Sequence, residues 1–142
     1  MSPRLQKLLP WIARGALLFS VVDLGTVGLL YIFDPATEAA RATITAGEAA
    51  GFTNLRVGFG AFHFGIALIA AFCLLKAERV WVGLSIVSAI TATAVVVRSY
   101  GLIVDGWHPR TVLLLQFESL GLMIFTIGLL AERMRLRRQN DT

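Results

Sequence analysis

The chain has 142 residues, of which 56% are hydrophobic and 15% are charged, and its mean hydropathy is +0.73. This composition excludes an ordinary water-soluble fold and favours one membrane-embedded domain. The net charge of +4 does not indicate nucleic-acid binding, because the basic residues crowd the chain ends and one short loop.

Four apolar stretches are long enough to cross a hydrocarbon core of roughly 30 Å as helices, which takes about 20 residues each. They cover approximately residues 11–33, 54–75, 80–104 and 111–131. The sequence therefore predicts an all-α integral membrane protein, a single four-transmembrane-helix antiparallel bundle over residues 1–142. The short second and third loops favour an up-down-up-down order of the helices.

The basic residues outside the four stretches predict the orientation of the chain. Nine of them belong to one side of the membrane and two, Arg41 and Arg110, to the other. The nine are Arg4, Lys7, Arg14, Lys76, Arg79, Arg133, Arg135, Arg137 and Arg138. Because basic residues accumulate on the cytoplasmic side, we expect a multi-pass protein of the cytoplasmic (inner) membrane with both termini in the cytoplasm. No small-residue cleavage site follows the first stretch, so we expect it to stay as an anchor.

The first loop, residues 34–53, is the only long one, and we expect it on the outer side. Asp34 followed by Pro35 is typical of a helix N-cap with proline at the first helical position, and Thr45 and Glu48 have capping-box spacing. These signals predict a short interfacial helix. The alanine and glycine content of the loop equally fits a loosely held segment.

Ionisable side chains interrupt each of the four stretches, where they are costly and need partners or water. Asp23, His63, Arg98 and Glu118 each lie six to ten residues from the outer end of a stretch, which places them roughly 9 to 15 Å below the outer interface. Four helices thus contribute to one predicted polar layer. Asn54 and Arg56 lie above this layer, near the outer surface.

Arg98 and Glu118 lie at matching depth on sequential antiparallel helices, so we expect a bidentate ion pair between them. The alternative to a ligand site is a pair that fixes the helix register and binds nothing. Asp23 is either protonated or paired with His63 or an arginine. His63 is either a satisfied bundle histidine or a proton carrier, and Arg56 by itself is close enough to the surface to snorkel.

The motifs of ordinary enzymes are missing from the sequence. There is no nucleotide-binding glycine loop, no nucleophile elbow and no paired histidines or cysteines, so we expect no cofactor and no metal. Acid–base chemistry on a lipid-soluble substrate by Asp23, His63 and Glu118 is the remaining enzymatic alternative.

The small residues of the second stretch, Gly58 to Gly65, favour close helix packing.

Three segments carry a resemblance to a known family. They are Asn54 to Gly60, Arg98 to Gly106, and Glu118 with Gly121. This pattern resembles the small bacterial integral membrane proteins catalogued as domain of unknown function 4345, which are similar in layout to the four-helix DoxX-like proteins. The resemblance implies a four-span bundle without an established activity, and it assigns no role to Asp23 or His63.

The leading functional hypothesis is a polar pocket in the outer half of the bundle that binds a small amphiphile or a lipid headgroup. Arg56 and Arg98 would bind the ligand, and Glu118 and Asp23 would hold the two arginines in place. The alternative is a structural or accessory subunit of a larger membrane complex. A minor alternative is transport of protons or a small solute by a homo-oligomer, although four spans without internal repeats are not typical of carriers.

Overall fold

The computed structural model describes residues 3–140, which contain helices and their connections and no strand. The helices are α1 (Pro3–Phe33), α2 (Pro35–Arg41), α3 (Ala49–Leu55), α4 (Phe62–Leu74), α5 (Val80–Val104) and α6 (Pro109–Asn140). A π-helical segment, Arg56–Ala61, joins α3 directly to α4, and a 3-10 turn, Ala77–Arg79, leads into α5. The prediction of an all-α protein is confirmed.

Four helical segments are long and apolar enough to cross a membrane. They are Gln6–Phe33, Ala49–Leu74, Ala77–Val104 and Pro109–Arg138. The most apolar 18-residue window of each has a mean hydropathy between 1.9 and 2.2, yet only 17 to 33% of these windows is buried within the protein. Most residues of each window are therefore incompletely buried by the rest of the protein.

The helices extend beyond the apolar stretches that the sequence marks out. α1 begins at Pro3 and includes Pro10, which costs the helix one backbone hydrogen bond without ending it. α6 continues from the apolar stretch through the basic tail to Asn140. Glu, Arg, Met, Leu and Gln, which make up this tail, all have high helix propensity, so the loss of hydropathy does not end the helix.

The long first loop contains two short helices instead of one. Asp34 caps α2 as predicted: its Oδ1 accepts a hydrogen bond from the Thr37 backbone N–H at 3.2 Å, and Pro35 occupies the first turn. The predicted capping box at Thr45 and Glu48 is wrong. Glu48 itself is the N-cap of α3, and its side chain makes no capping hydrogen bond.

The long helices form a ring in which α1 packs against α4 and α6 on its two sides and α5 completes the circle. Small residues set the closest approaches. A Cβ atom added to Gly28 of α1 would lie 2.6 Å from the Phe64 backbone nitrogen of α4, and one added to Gly128 of α6 would lie 2.6 Å from the Ala16 Cβ of α1. In the glycine run of the second stretch, only Gly60 approaches another helix in this way.

The main core lies in one half of the bundle. We call residues 3–20, 67–90 and 121–140 the terminal half, and residues 21–66 and 91–120 the loop half. The main buried cluster lies entirely in the terminal half and comprises Ala13, Ala16, Leu17, Ala70, Cys73, Val80, Leu84, Val87 and Phe125. In the loop half, a smaller cluster of Tyr31, Ala39 and Leu55 closes α1 against the long loop and α3.

The loop halves of α5 and α6 contain no buried residue within the described chain. On α5 burial ends at Val87, and on α6 it begins only at Gly121. The bundle is thus closed at the terminal half and open along α5 and α6 in the loop half.

Candidate functional site

Arg98 of α5 and Glu118 of α6 form the predicted bidentate ion pair. The Arg98 Nε donates to Glu118 Oε2 at 2.7 Å, and Nη2 donates to Oε1 at 2.6 Å. The two parallel hydrogen bonds fix the guanidinium plane against the carboxylate plane, which ties α5 to α6 in the half of the bundle that lacks a core. The remaining nitrogen of Arg98, Nη1, has no hydrogen-bond partner among residues 3–140 and stays free to donate.

The pair lies on the inward faces of its helices. Arg98 is two heptads along α5 from Leu84, and Glu118 is one heptad from Phe125 on α6, so both continue the stripes that form the core in the terminal half. The two side chains nevertheless keep 30% and 22% of their surface exposed. We call the surroundings of this accessible pair the cleft: the part of the loop half in which α5 and α6 have no buried residue.

His63 lies at the start of α4, one residue after its first residue. Its Nδ1 is 2.6 Å from the carbonyl oxygen of Phe59 in the π-helical segment. A carbonyl oxygen only accepts, so Nδ1 carries the proton of this hydrogen bond. The second ring nitrogen, Nε2, is therefore the one that accepts a proton or donates to a partner.

Three rings line the same wall. Tyr31 stacks on Phe59 with a centroid distance of 5.1 Å, and Phe59 stacks on His63 at 6.2 Å. The Tyr31 side chain is buried, while Phe59 is partly exposed. Sequence reasoning missed Tyr31 and Phe59, because aromatic residues in apolar stretches carry no signal that distinguishes a wall from lipid-facing surface.

Asp23 of α1 is exposed, and it makes no hydrogen bond or ion pair within the described part of the chain. The His63 imidazole is close enough for an electrostatic interaction with its carboxylate. The expectation that Asp23 holds an arginine in place is wrong, since no arginine contacts it. The reason is angular: Asp23 lies at the edge of the buried face of α1, about 120° around the helix from Leu17.

Arg56 and Asn54 lie outside the cleft. The Arg56 Nε donates to the backbone oxygen of Ile32 at 3.1 Å, which ties the π-helical segment to the end of α1, and its side chain is otherwise exposed. Asn54 is exposed and has no hydrogen-bond partner within residues 3–140. No hydrogen bond or ion pair in this range joins Arg56 to Arg98.

The predicted single layer of four ionisable groups is therefore two separate pairs. Asp23 and His63 face each other across α1 and α4, and Arg98 and Glu118 join α5 to α6. Arg98 and Glu118 lie on helices joined by a short connection, whereas Asp23 and His63 lie on α1 and α4, which the long first loop joins.

Two further polar atoms near the loop half are buried without a hydrogen-bond partner in the described chain: Ser88 Oγ on α5 and Arg110 Nε at the start of α6. Arg110 is also near enough to Tyr31 for an electrostatic interaction, so it approaches α1 at the mouth of the cleft. The sequence indicated Arg110 only as one of the two basic residues on the predicted outer side of the membrane.

Within residues 3–140, no three His, Cys, Asp or Glu side chains are grouped closely enough to hold a metal ion. Comparison of the chain with protein-family models, with curated proteins and with solved structures finds no significant match. The chemistry of the site therefore has to be argued from its residues.

Proposed function

We propose that the protein is a multi-pass protein of the cytoplasmic (inner) membrane with four spans in up-down-up-down order. Four helices of sufficient length and hydropathy support insertion, and the outward-facing apolar surface of each one requires lipid. The order is supported by contacts at both ends: Ala16 meets Gly128, and Ile32 meets Gly60. The distribution of basic residues, nine against two, supports cytoplasmic termini.

The function that the cleft supports best is binding of a small anionic amphiphile or a lipid headgroup from the outer leaflet. One observation carries this proposal: Arg98 and Glu118 occupy core positions of their helices and yet stay accessible. A pair this accessible avoids part of the desolvation cost of a fully buried ion pair, and it leaves the guanidinium within reach of a ligand.

Arg98 supplies the recognition chemistry. Glu118 occupies Nε and Nη2, which fixes the guanidinium plane and leaves Nη1 to donate to a ligand carboxylate or phosphate. His63 adds a second donor when Nε2 is protonated. The rings of Tyr31 and Phe59 give the ligand chain an apolar wall.

Ligand-dependent stabilisation of the detergent-purified protein tests this proposal. Decanoate is the probe, and decanol is the matched amphiphile without a carboxylate. We expect decanoate to raise the unfolding temperature and decanol to have little effect. Arg98→Leu should abolish the decanoate response, since it removes the donor.

Two further variants separate ligand binding from folding. Arg98→Leu leaves the half-buried Glu118 carboxylate unpaired, so Arg98→Leu/Glu118→Leu removes both charges and should restore folding while staying unresponsive to decanoate. Arg41→Leu is the matched control, because Arg41 also pairs with a glutamate, Glu38, but outside the cleft. A full decanoate response in the double variant would remove Arg98 from the site.

Exposure of Asp23 favours a second candidate, a structural or accessory subunit of a larger membrane complex or of a homo-oligomer. An exposed carboxylate without a hydrogen bond at this depth needs a donor from outside the chain. Native mass spectrometry of the protein extracted from its own membrane separates the two candidates. A stoichiometric partner that is lost in Asp23→Asn supports the subunit, and retained lipid on a monomer supports the cleft.

We also propose a distant relationship to the family catalogued as domain of unknown function 4345 and its DoxX-like layout. The support is the residue pattern alone. Its first segment, Asn54 to Gly60, falls on the end of α3 and the π-helical segment, and its others fall on the ion pair.

A further inference from the structure

A second polar cluster lies at the opposite end of the bundle, in the terminal half. Glu132 of α6 is only 1% exposed, and its carboxylate accepts two hydrogen bonds from Arg135, from Nε at 2.9 Å and from Nη2 at 2.5 Å. Nη2 of Arg135 also donates to the backbone oxygen of Ala77 at 3.3 Å. This arrangement ties the end of α6 to the turn before α5.

A cavity of about 100 Å³ opens beside this pair. It is lined by Pro10, Arg14, Ala77, Val80, Glu132 and Arg135, which come from α1, the 3-10 turn, α5 and α6. One water needs about 10–15 Å³ of such space, so the cavity has room for several waters or for a tetrahedral anion.

Arg14 is the unbalanced charge of this cavity. It is half-buried, and it makes no hydrogen bond or ion pair within residues 3–140, whereas the basic residues Lys7, Arg133 and Arg137 are exposed. Both oxygens of Glu132 are already bound by Arg135, so the carboxylate has little capacity left for a second guanidinium. Among the charged side chains that line the cavity, Arg135 is paired with Glu132, and Arg14 has no ion-pair partner within residues 3–140.

We propose that this cavity binds a phosphate group between Arg14 and Arg135, supplied by a phospholipid of the leaflet that contacts the terminal end of the bundle. Guanidinium groups are the preferred side-chain partners of phosphate oxygens, and Glu132 holds Arg135 in a fixed plane. The headgroup layer brings phosphate groups to this level of a membrane helix. The site is distinct from the cleft and does not depend on it.

Short-chain lipids give a direct test with the detergent-purified protein. Dihexanoylphosphatidic acid is the probe, dihexanoylglycerol is the same molecule without the phosphate, and the readout is the lipid concentration that gives half of the maximal stabilisation. We expect stabilisation by the phospholipid only. Arg14→Gln should raise the half-maximal concentration about tenfold or more, as expected for loss of a charged hydrogen bond.

Arg133→Gln is the matched control, because it removes the same charge from the same end at an exposed position. It should bind the lipid as the original chain does, and so should Arg98→Leu/Glu118→Leu, which removes both charges of the cleft pair. Arg14→Lys keeps the charge and removes the planar guanidinium, so it should weaken lipid binding severalfold. This variant replaces Arg14→Gln in the test if Arg14→Gln does not fold.

Inorganic phosphate distinguishes the source of the group. Competition by millimolar phosphate supports recognition of the phosphate group alone, and absence of competition supports a site that also needs the lipid chains. Equal stabilisation by dihexanoylglycerol, unchanged binding by both Arg14 variants, or an equal loss in Arg133→Gln would each overturn the proposal.

Discussion

Replacing Gly28 by alanine tests whether α1 and α4 meet as closely as the structure shows. The added Cβ would lie 2.6 Å from the Phe64 backbone nitrogen and 2.9 Å from its Cα, whereas ordinary contacts of a Cβ begin at 3.4 Å. A backbone atom cannot rotate away as a side chain can. The two helices must therefore separate by roughly 0.8 Å, which forfeits dispersion contacts along this interface.

The magnitude follows from two opposing effects. Overpacking of a tight contact costs about 1–3 kcal/mol. Alanine gains about 0.8–1.0 kcal/mol over glycine in a helix. We therefore expect Gly28→Ala to lower the free energy of unfolding by on the order of 1 kcal/mol.

Gly15→Ala is the matched control on the same helix. An added Cβ at Gly15 meets nothing within 4 Å, so only the helix-propensity gain applies and this variant should be more stable than the original chain. The assay is reversible unfolding of the purified protein in mixed detergent micelles. Equal stability of the two variants would refute the close contact between α1 and α4, and with it the wall that carries His63.

Two predictions concern other parts of the chain. Cys73 is 5% exposed within the main core. A small maleimide should therefore leave Cys73 unlabelled in the folded protein and label it fully after unfolding in SDS. Rapid labelling of the folded protein would show that the core is open at Cys73. Asp34→Ala removes the cap of α2 and should destabilise that short helix by about 0.5–2 kcal/mol, seen as faster proteolysis of the first loop, while Thr45→Ala should leave the cleavage rate unchanged.

Sequence reasoning reached the ion pair because it depends on local facts. The connection between α5 and α6 is short, so depth along one helix determines depth along the next, and opposite charges at matching depth meet. Arg98 and Glu118 could therefore be paired without knowledge of the remaining fold.

The same reasoning failed for Asp23 and Arg56, because angle and register decide their partners. Asp23 lies at the edge of the buried face of α1, and the π-helical segment changes the register between α3 and α4 by its wider turn. No hydropathy pattern reveals such a segment. Arg56 therefore meets a backbone carbonyl at the end of α1 instead of the predicted carboxylate.

Glu132 was missed for a related reason. In the sequence it introduces a basic tail beyond the last apolar stretch, where a glutamate is normally solvated. The helix continues through that tail, and Arg135 of the same helix donates both to the carboxylate and to the Ala77 backbone oxygen in the turn before α5. Its burial depends on helix length, which hydropathy does not report.

Because the bundle is closed only in its terminal half, core packing holds α5 at one end and not at the other. Leu84 lies in the closed half and Arg98 lies 14 residues further along α5, a distance of about 21 Å at 1.5 Å per residue. A tilt of α5 by about 5° at Leu84 then displaces Arg98 by about 2 Å. Small adjustments among the tightly packed aliphatic side chains of the terminal half are thus amplified into a larger displacement at the loop end of α5.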